Sequence, residues 1–440
     1  MALFGTDGVR GVANRDLTAE LALDLAVAAA HVLAEVGAIS KNRPKAIVGQ
    51  DSRASGEFLE SAIVAGLASA GVDVYKVGVL PTPAIAHLVA ATGADFGVMI
   101  SASHNPMPDN GIKFFAKGGG KLDDALEAAI EARLNEPWDR PIGREVGRVI
   151  FDESASERYI YHLLSTLKVN LSGIKVVVDC ANGAASEVAP EVYARSGAEV
   201  IAISNQPNGL NINENCGSTH LANLIAEVKK SGADLGIAHD GDADRCLAID
   251  ASGKVIDGDF ILAILAKEWK VPTVVGTVMT NLGFIKAMNE AGISFEKTPV
   301  GDRYVLENML ADGHKLGGEQ SGHIIMRDLA NTGDGLLTAL QLMSVMASSK
   351  KSLANLAEVM ERFPQTLINI EGVDKSKLAT SKALAVAISE YESKLGTSGR
   401  ILVRASGTEP LVRVMVEAES QIVAEEIAQK LAALVRLELA

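Results

Sequence analysis

The sequence predicts an α/β protein of several domains, built on mainly parallel sheets and ending in a smaller α+β domain. Three strand-like runs carry that prediction: "AIVGQDSR" (46–53), "KVVVDCANG" (175–183) and "TVVGTVMTN" (273–281). Each is followed by a loop and a helical pattern that stops at a small residue plus glycine, and a second strand begins at once in "SAGVDVYKVG" (69–78), "RSGAEVIAIS" (195–204) and "EAGISFEKTPVG" (290–301). Glycine frees the chain from the helix, and a β-rich run behind it marks a crossover between parallel strands. A second helix then leads to a third strand in "TGADFGVMISAS" (92–103), "SGADLGIAHDGD" (231–242) and "ADGHKLGGEQSGH" (311–323). The first two align as Gly93-Ala94-Asp95 on Gly232-Ala233-Asp234, and the third matches by placement more than by identity. Repeated alternation of this kind gives layered α/β units.

Taken in order, the chain opens with "LALDLAVAAAHVLAEVGAI" (21–39), where Asp24, His31 and Glu35 break the apolar run and make it an amphipathic helix rather than a membrane span. The first unit spans 1–140, and "NEPWDRPIGREVGRV" (135–149) reads as a linker. The second spans 150–255 and the third 256–366. The pattern changes after about residue 365. A helix in "SKLATSKALAVAISEYESKLG" (376–396), two alternating strands in "GRILVRASGTEPLVRVMVEAES" (399–420) and a terminal helix form a smaller unit over 372–440.

Composition narrows the function. A chain of 440 residues exceeds a single ordinary core, and 48% apolar with 22% charged residues is a globular profile. With 41 basic and 55 acidic residues the formal net charge is −14, which repels a polyanion, so nucleic acid is not an expected partner. Any phosphate site must be a local basic pocket. Cys180, Cys216 and Cys246 are too scattered for a disulfide framework or a zinc site and read as reduced thiols. The start, "MALFGTDGVRG", lacks the charged and apolar regions of a signal peptide, so a cytoplasmic protein is expected.

Ligands of open α/β sheets bind beyond the carboxyl ends of the strands. The repeat therefore puts "SASHNP", "HDGDADR" and "GGEQSGH" at equivalent edges. Asp240, Asp242 and Asp244 offer hard oxygen ligands suited to Mg²⁺. An EF-hand is excluded, because counting from Asp240 puts Arg245 at its glycine position and Ala251 at its glutamate position. "ISASHNP" offers a serine without the G-x-S-x-G elbow of an acyl hydrolase. A phosphorylated serine would need a cation and an arginine, and the second loop supplies both through the aspartates and Arg245. Glu319, Ser321 and His323 are hydrogen-bonding groups for a polyol. "RASGTEPLVRV" (404–414) brings Arg404, Ser406, Gly407, Thr408 and Arg413 together as an anion site. "AKGGGKL" (116–122) lacks the residues of a Walker loop and reads as a hairpin turn.

The order of "SASHNP", "DGDADR", "GEQSGH" and "SGTEPLVRV" resembles the α-D-phosphohexomutase superfamily over essentially the whole chain. "FGTDGVRG", "DNGIKFF" (109–115), "NGLNINENCGSTH" (208–220) and "VGDRYVLENM" (300–309) resemble its bacterial branch acting on glucosamine phosphates. Ala243, where glycine is commoner, and Gln320, where asparagine or methionine is commoner, depart from the pattern without removing a ligand group. The resemblance implies four domains around a central cleft, the first three related, with a mobile fourth. It implies reversible conversion of D-glucosamine 6-phosphate to the 1-phosphate through a 1,6-bisphosphate, on the route to UDP-N-acetylglucosamine. Ser103 would carry the phosphate, one Mg²⁺ would sit on Asp240, Asp242, Asp244 and phospho-Ser103, and Arg245 and Arg10 would neutralise the transferring group. Lys113 and His104 are the candidates for the base, and Arg404, Ser406, Gly407, Thr408 and Arg413 would hold the far phosphate. A homodimer is one assembly the resemblance allows. Glucose or mannose phosphates as substrates, or a phosphatase using the same phosphoserine, are the alternatives.

Overall fold

The computed structural model describes residues 3–5, 7–40, 43–406 and 411–440. The chain forms two compact units, one of residues 1–279 and 293–358 and one of 280–292 and 359–440. The larger holds three sheets. The first contains strands β1 (Phe4–Gly5), β2 (Gly8–Val12), β3 (Lys45–Gln50), β4 (Asp73–Val79), β5 (Phe96–Ile100), β6 (Asp109–Phe115) and β7 (Val149–Phe151), in the order β1-β2-β6-β5-β3-β4-β7. The second contains β8 (Lys175–Asp179), β9 (Glu199–Ile203), β10 (Leu235–Ala238), β11 (Leu247–Asp250) and β12 (Val255–Ile256), ordered β12-β11-β10-β8-β9. The third, ordered β14-β13-β15-β16, contains β13 (Thr273–Thr277), β14 (Ser294–Thr298), β15 (Leu316–Gly318) and β16 (Ile324–Met326).

Each sheet carries the same four-strand kernel: three parallel strands with an antiparallel strand beside the third, β6-β5-β3-β4, β11-β10-β8-β9 and β16-β15-β13-β14. The repeated Gly-Ala-Asp has a physical basis in this kernel. Gly93 and Gly232 both end a helix with φ +65, a conformation other side chains resist. Asp95 and Asp234 then accept the amide of the residue opening the neighbouring strand, Lys45 at 2.9 Å and Lys175 at 2.8 Å, which pins strand to strand. Gly313, with φ +77, ends the corresponding helix in the third copy. Each functional loop joins the third strand of the kernel to the antiparallel fourth.

Two expectations change. The segment read as a linker ends in β7, which pairs in parallel with β4 and extends the first sheet. The C-terminal unit has a third strand, β17 (Gln365–Glu371), which with β18 (Gly399–Ala405) and β19 (Leu411–Ala418) gives the antiparallel order β17-β19-β18 under helices Lys382–Leu395 and Gln421–Glu438. Helix Leu282–Glu290 belongs to this unit as well. Its first amide and the Asn281 side chain both donate to the buried Glu417 carboxylate, at 3.0 and 3.1 Å.

Candidate active site

The serine loop is shaped by a cation beneath it. Arg53, whose side chain is 0% exposed, pairs with Asp51 at 2.9 Å. Its guanidinium donates to the carbonyls of Ser103 (3.0 Å), Asn105 (2.8 Å), Pro106 (2.6 Å) and Asp109 (2.9 Å). Asn213 Nδ2 adds donors to the Ser103 and Asn105 carbonyls at 2.9 and 3.1 Å. With the carbonyls drawn inward, the chain at Ser103 takes φ +52, a left-handed conformation costing a non-glycine residue about 1–2 kcal/mol. The two serines consequently differ in kind. Ser101 Oγ donates to Asp51 (2.6 Å) and accepts the Ser103 amide (3.0 Å), so it is a brace. Ser103 Oγ turns the other way and donates to Asp240 at 2.5 Å, with His104 Nδ1 at 3.3 Å.

The aspartate loop meets it from the second sheet. His239 is buried between the Tyr193 hydroxyl (2.7 Å) and the Arg245 carbonyl (2.9 Å), and burial pushes its pKa down to about 4. It fixes where the loop leaves β10. A Cβ on Gly241 would come within 2.6 Å of the Ser103 carbonyl, so only glycine lets the two loops touch. Asp240, Asp242 and Asp244 are buried, with ligand oxygens all within 4.8 Å of one another. Among the described residues, Oδ1 of both Asp242 and Asp244 accepts no hydrogen bond. Burial, then the charges of Asp244 and Asp242, pushes the Asp240 carboxyl up to about 8. Buried carboxylates with spare lone pairs and mutual repulsion are the signature of a cation site, and these residues can hold a metal.

A chain of ion pairs links this centre to the third sheet. Asp242 Oδ2 accepts from Thr82 Oγ1 (2.6 Å) and Lys113 Nζ (2.8 Å), and Lys113 also pairs with Asp7 at 2.8 Å. Asp7 pairs further with Arg10 (2.6 Å) and Lys121 (2.7 Å), and Lys121 reaches Asp302 at 2.6 Å. Asp302 and Asp244 flank His323 at 3.3 and 3.5 Å. Burial opposes charge on His323, but Asp302 and Asp244 prevail and raise its pKa to about 9, so it is an imidazolium. Glu319 accepts the Gly301 amide at 3.0 Å, and burial holds its carboxyl up. Ser321 is half-buried in the same turn, which the Gly322 amide closes on the Glu319 carbonyl at 3.0 Å. Arg245 lies 3.9 Å from both Asp240 and Asp244.

The two expected bases separate. Burial works against a charge on Lys113, yet Asp242 and Asp7 outweigh it and raise its pKa, so it stands as an ammonium rather than a proton acceptor. Burial, then Arg245 and Arg10, pushes His104 down to about 4, leaving a neutral imidazole. The sequence reading did not single out Asp7, Asp51, Arg53, Thr82, Lys121, Asn213 or Asp302. Six of them lay in plain view, in "FGTDGVRG", "QDSR", "AKGGGKL", "NGLNINENCGSTH" and "VGDRYVLENM", as polar residues without an assigned task; Thr82 alone stood outside every such stretch.

In the smaller unit, Arg404 and Arg413 are direct cross-strand partners on β18 and β19. Burial, and then the Arg413 charge, lowers the Arg404 pKa. The pairing sets two like charges side by side across the strands. The Ser406 amide donates to the Leu411 carbonyl at 2.9 Å across the base of the intervening loop. Gly407 and Thr408 lie outside the described residues.

Comparison with known proteins agrees with this geometry. Models of the phosphoglucomutase/phosphomannomutase family match the chain in four parts: alpha/beta/alpha domain I over residues 1–139, domain II over 157–253, domain III over 257–363 and the C-terminal domain over 367–434. Phosphoglucosamine mutase of Streptomyces griseus is 60% identical over 445 residues, covering 99% of this chain and 98% of the relative. That of Thermobifida fusca is 60% identical over 443 residues, with the same coverage. Among solved structures, a phosphoglucomutase/phosphomannomutase family protein from Burkholderia thailandensis superposes with a TM-score of 0.83 at 23% identity, covering 100% of this chain and 98% of its own. N-acetylphosphoglucosamine mutase of Aspergillus fumigatus, solved with GlcNAc-6P and magnesium, superposes with a TM-score of 0.70 at 18% identity, covering 100% and 96%. No helix among the described residues is long and apolar enough to cross a membrane. Kernel, loops and full-length identity agree, and the chain belongs to the phosphoglucosamine mutases of the phosphoglucomutase/phosphomannomutase family.

Proposed function

We propose that this mutase interconverts D-glucosamine 6-phosphate and D-glucosamine 1-phosphate through phospho-Ser103, with Mg²⁺ as its metal. The observation that carries the mechanism is Ser103 Oγ at 2.5 Å from Asp240, inside the buried group of three carboxylates. Asp240, Asp242 and Asp244, with a phosphoryl oxygen on Ser103, would hold Mg²⁺, which when bound supplies charge neutralisation for phosphoryl transfer. The phosphoryl group leaves Ser103 Oγ for the free hydroxyl of the sugar phosphate: the Oγ–P bond breaks and a sugar O–P bond forms. The resulting 1,6-bisphosphate turns in the site and returns its other phosphoryl group to Ser103. Such transfer depends on positioning and on charge around the equatorial oxygens. Arg245, Arg10 and the Lys113 ammonium are assigned that charge, and the proton released by the accepting hydroxyl is assigned to neutral His104. Glu319, Ser321 and His323 would bind the sugar hydroxyls and amine. Arg404, Ser406, Gly407, Thr408 and Arg413 would hold the phosphate that is not reacting.

The metal assignment has a direct test. Asp242→Asn removes one charge from the site, and Lys113 keeps Asp7 as a partner. Calorimetric titration with Mg²⁺ alone should show affinity falling roughly tenfold or more, since a contact to a charged group contributes about 1.5–3 kcal/mol. Unchanged affinity would argue against the aspartate site.

The substrate rests on the identity to phosphoglucosamine mutases, because Glu319 and His323 suit the hydroxyls of any hexose. In a coupled assay of the phosphorylated enzyme at saturating Mg²⁺, kcat/KM for glucosamine 6-phosphate should exceed that for glucose or mannose phosphates by at least ~10-fold, equivalent to about 1.4 kcal/mol of differential transition-state binding. A preference for mannose or glucose phosphate would overturn the substrate and leave the reaction type standing.

A further inference from the structure

The run "NGLNINENCGSTH" marks this chain's branch of the family, yet none of its residues takes part in the transfer itself. It continues from β9 as a loop of the second sheet, beside the turn that follows β8. Backbone here is costly. Ala181, Asn182, Ser204, Asn213 and Asn215 take φ of +56, +47, +47, +58 and +52. Twelve non-glycine residues have positive φ among the described residues, and these five, with Ser103 and Ala243 in the two catalytic loops, make seven of them. Left-handed backbone is unfavourable for side chains, least so for asparagine, and it persists only where the surroundings over-determine it. Asparagines do that here. Asn182 Oδ1 accepts the Gln206 amide at 3.1 Å, Asn208 Oδ1 the Leu210 amide at 2.9 Å and Asn211 Oδ1 the Asn208 amide at 3.0 Å. Asn211 Nδ2 donates to the Gln206 carbonyl at 3.0 Å, which cross-ties the loop.

The stiffened loop is fastened to the first sheet on both sides of Arg53. Ser52 Oγ donates to the Asn182 carbonyl at 2.5 Å, and the Ala54 amide to the Gly209 carbonyl at 2.9 Å. Asn213 is buried, and its own amide donates to the Ala181 carbonyl at 2.9 Å, so its side chain works from a fixed base. Its Nδ2 bonds to the carbonyls of Ser103 and Asn105, the same two that Arg53 Nη2 holds. A carbonyl oxygen has two lone pairs. One donor leaves the peptide plane free to tilt about the bond it makes, whereas two donors, one from each sheet, fix it. We propose that Asn213 is a positioning residue for the nucleophile: by filling the second lone pair of each carbonyl it locks the left-handed turn at Ser103 and keeps Oγ directed at the aspartates. The inference rests on Ser103 as the residue that carries the phosphate. Asparagine meets both demands of the place, tolerance of left-handed backbone and two N–H donors on one nitrogen. One sheet thereby sets both the turn of the nucleophile and the carboxylates that face it.

Asn213→Gly removes the amide and spares the backbone, because glycine adopts φ +58 without strain. Arg53 still donates to both carbonyls, so the melting curve should stay close to that of the native protein. Measured per phosphorylated enzyme with glucosamine 6-phosphate, kcat should fall about 10- to 100-fold, the effect of a small misplacement of a reacting group, while KM stays nearly constant. The ³¹P resonance of the phosphoserine should shift in the same variant. Asn215→Gly is the control: it changes an exposed left-handed residue of the same loop and should keep the native kcat and resonance. Native kcat or a native resonance in Asn213→Gly would overturn the assignment, as would an equal loss in Asn215→Gly. A variant that melts far below the native protein would show that the amide serves the fold rather than the nucleophile, and would overturn it too. Peptide mapping of the native phosphate separates the two levels. Phosphate at a residue other than Ser103 would sink the phosphoserine reading and this inference together, whereas phosphate on Ser103 with an unaffected Asn213→Gly would sink this inference alone.

Discussion

Ser103→Ala is expected to abolish turnover and to leave the purified protein without covalent phosphate. Loss of a covalent nucleophile costs on the order of 10⁴–10⁶ in kcat. Ser101→Ala should behave differently, because its hydroxyl bonds to Asp51 (2.6 Å) and to the Ser103 amide (3.0 Å) rather than to the aspartate group. It should remain phosphorylated in part and keep a measurable fraction of turnover. Steady-state rates with intact-mass measurement on both variants check this. Phosphate retained in Ser103→Ala, or lost completely in Ser101→Ala alone, would reverse the assignment of the two serines.

Arg53→Met should be the most destabilising single change near the site. It leaves the Asp51 carboxylate buried and unpaired and removes the donor to the Ser103, Asn105, Pro106 and Asp109 carbonyls. Breaking a buried charge pair on one side costs about 3–5 kcal/mol, which corresponds to a fall of about 10 °C in the melting temperature of a domain of this size. The double variant Asp51→Asn with Arg53→Met removes the stranded charge as well, so it should be less destabilised than the sum of the two singles. It should still be inactive, because the loop that sets Ser103 at φ +52 has lost its template. Calorimetry on the three variants measures the coupling, and additive losses would mean that the pair is not a unit.

The contrast between these predictions shows what the sequence could and could not reveal. Local chemistry was legible: the helix-ending glycines, Asp95 and Asp234, and the three loops behind the third strand of each kernel all carry their signal within a few residues. Arg53 had no such signal. It lies fifty or more residues from the carbonyls it holds, and nothing in "QDSR" distinguishes a buried guanidinium from a solvated one. β7 was concealed for a related reason, since three residues between Arg148 and Asp152 resemble a linker until β4 supplies a partner. The N-terminal end of helix Leu282–Glu290 is fixed by Glu417, well over a hundred residues away, a contact that no local pattern announces. Lys113, on β6, could be named as a candidate base through the family resemblance. Its charge state could not, because that is set by Asp7 and Asp242 from two different segments.

The central claim is that Ser103 hands its phosphoryl group to a sugar hydroxyl and takes one back. A single-turnover transfer experiment tests it most directly: enzyme labelled with radioactive phosphate is mixed with unlabelled glucosamine 6-phosphate and the label is followed. Label should leave Ser103 and appear in glucosamine 1,6-bisphosphate and then in the monophosphates, with the enzyme still phosphorylated and no burst of inorganic phosphate. Label released to inorganic phosphate, or label that stays on the protein while the sugar phosphates interconvert, would contradict it.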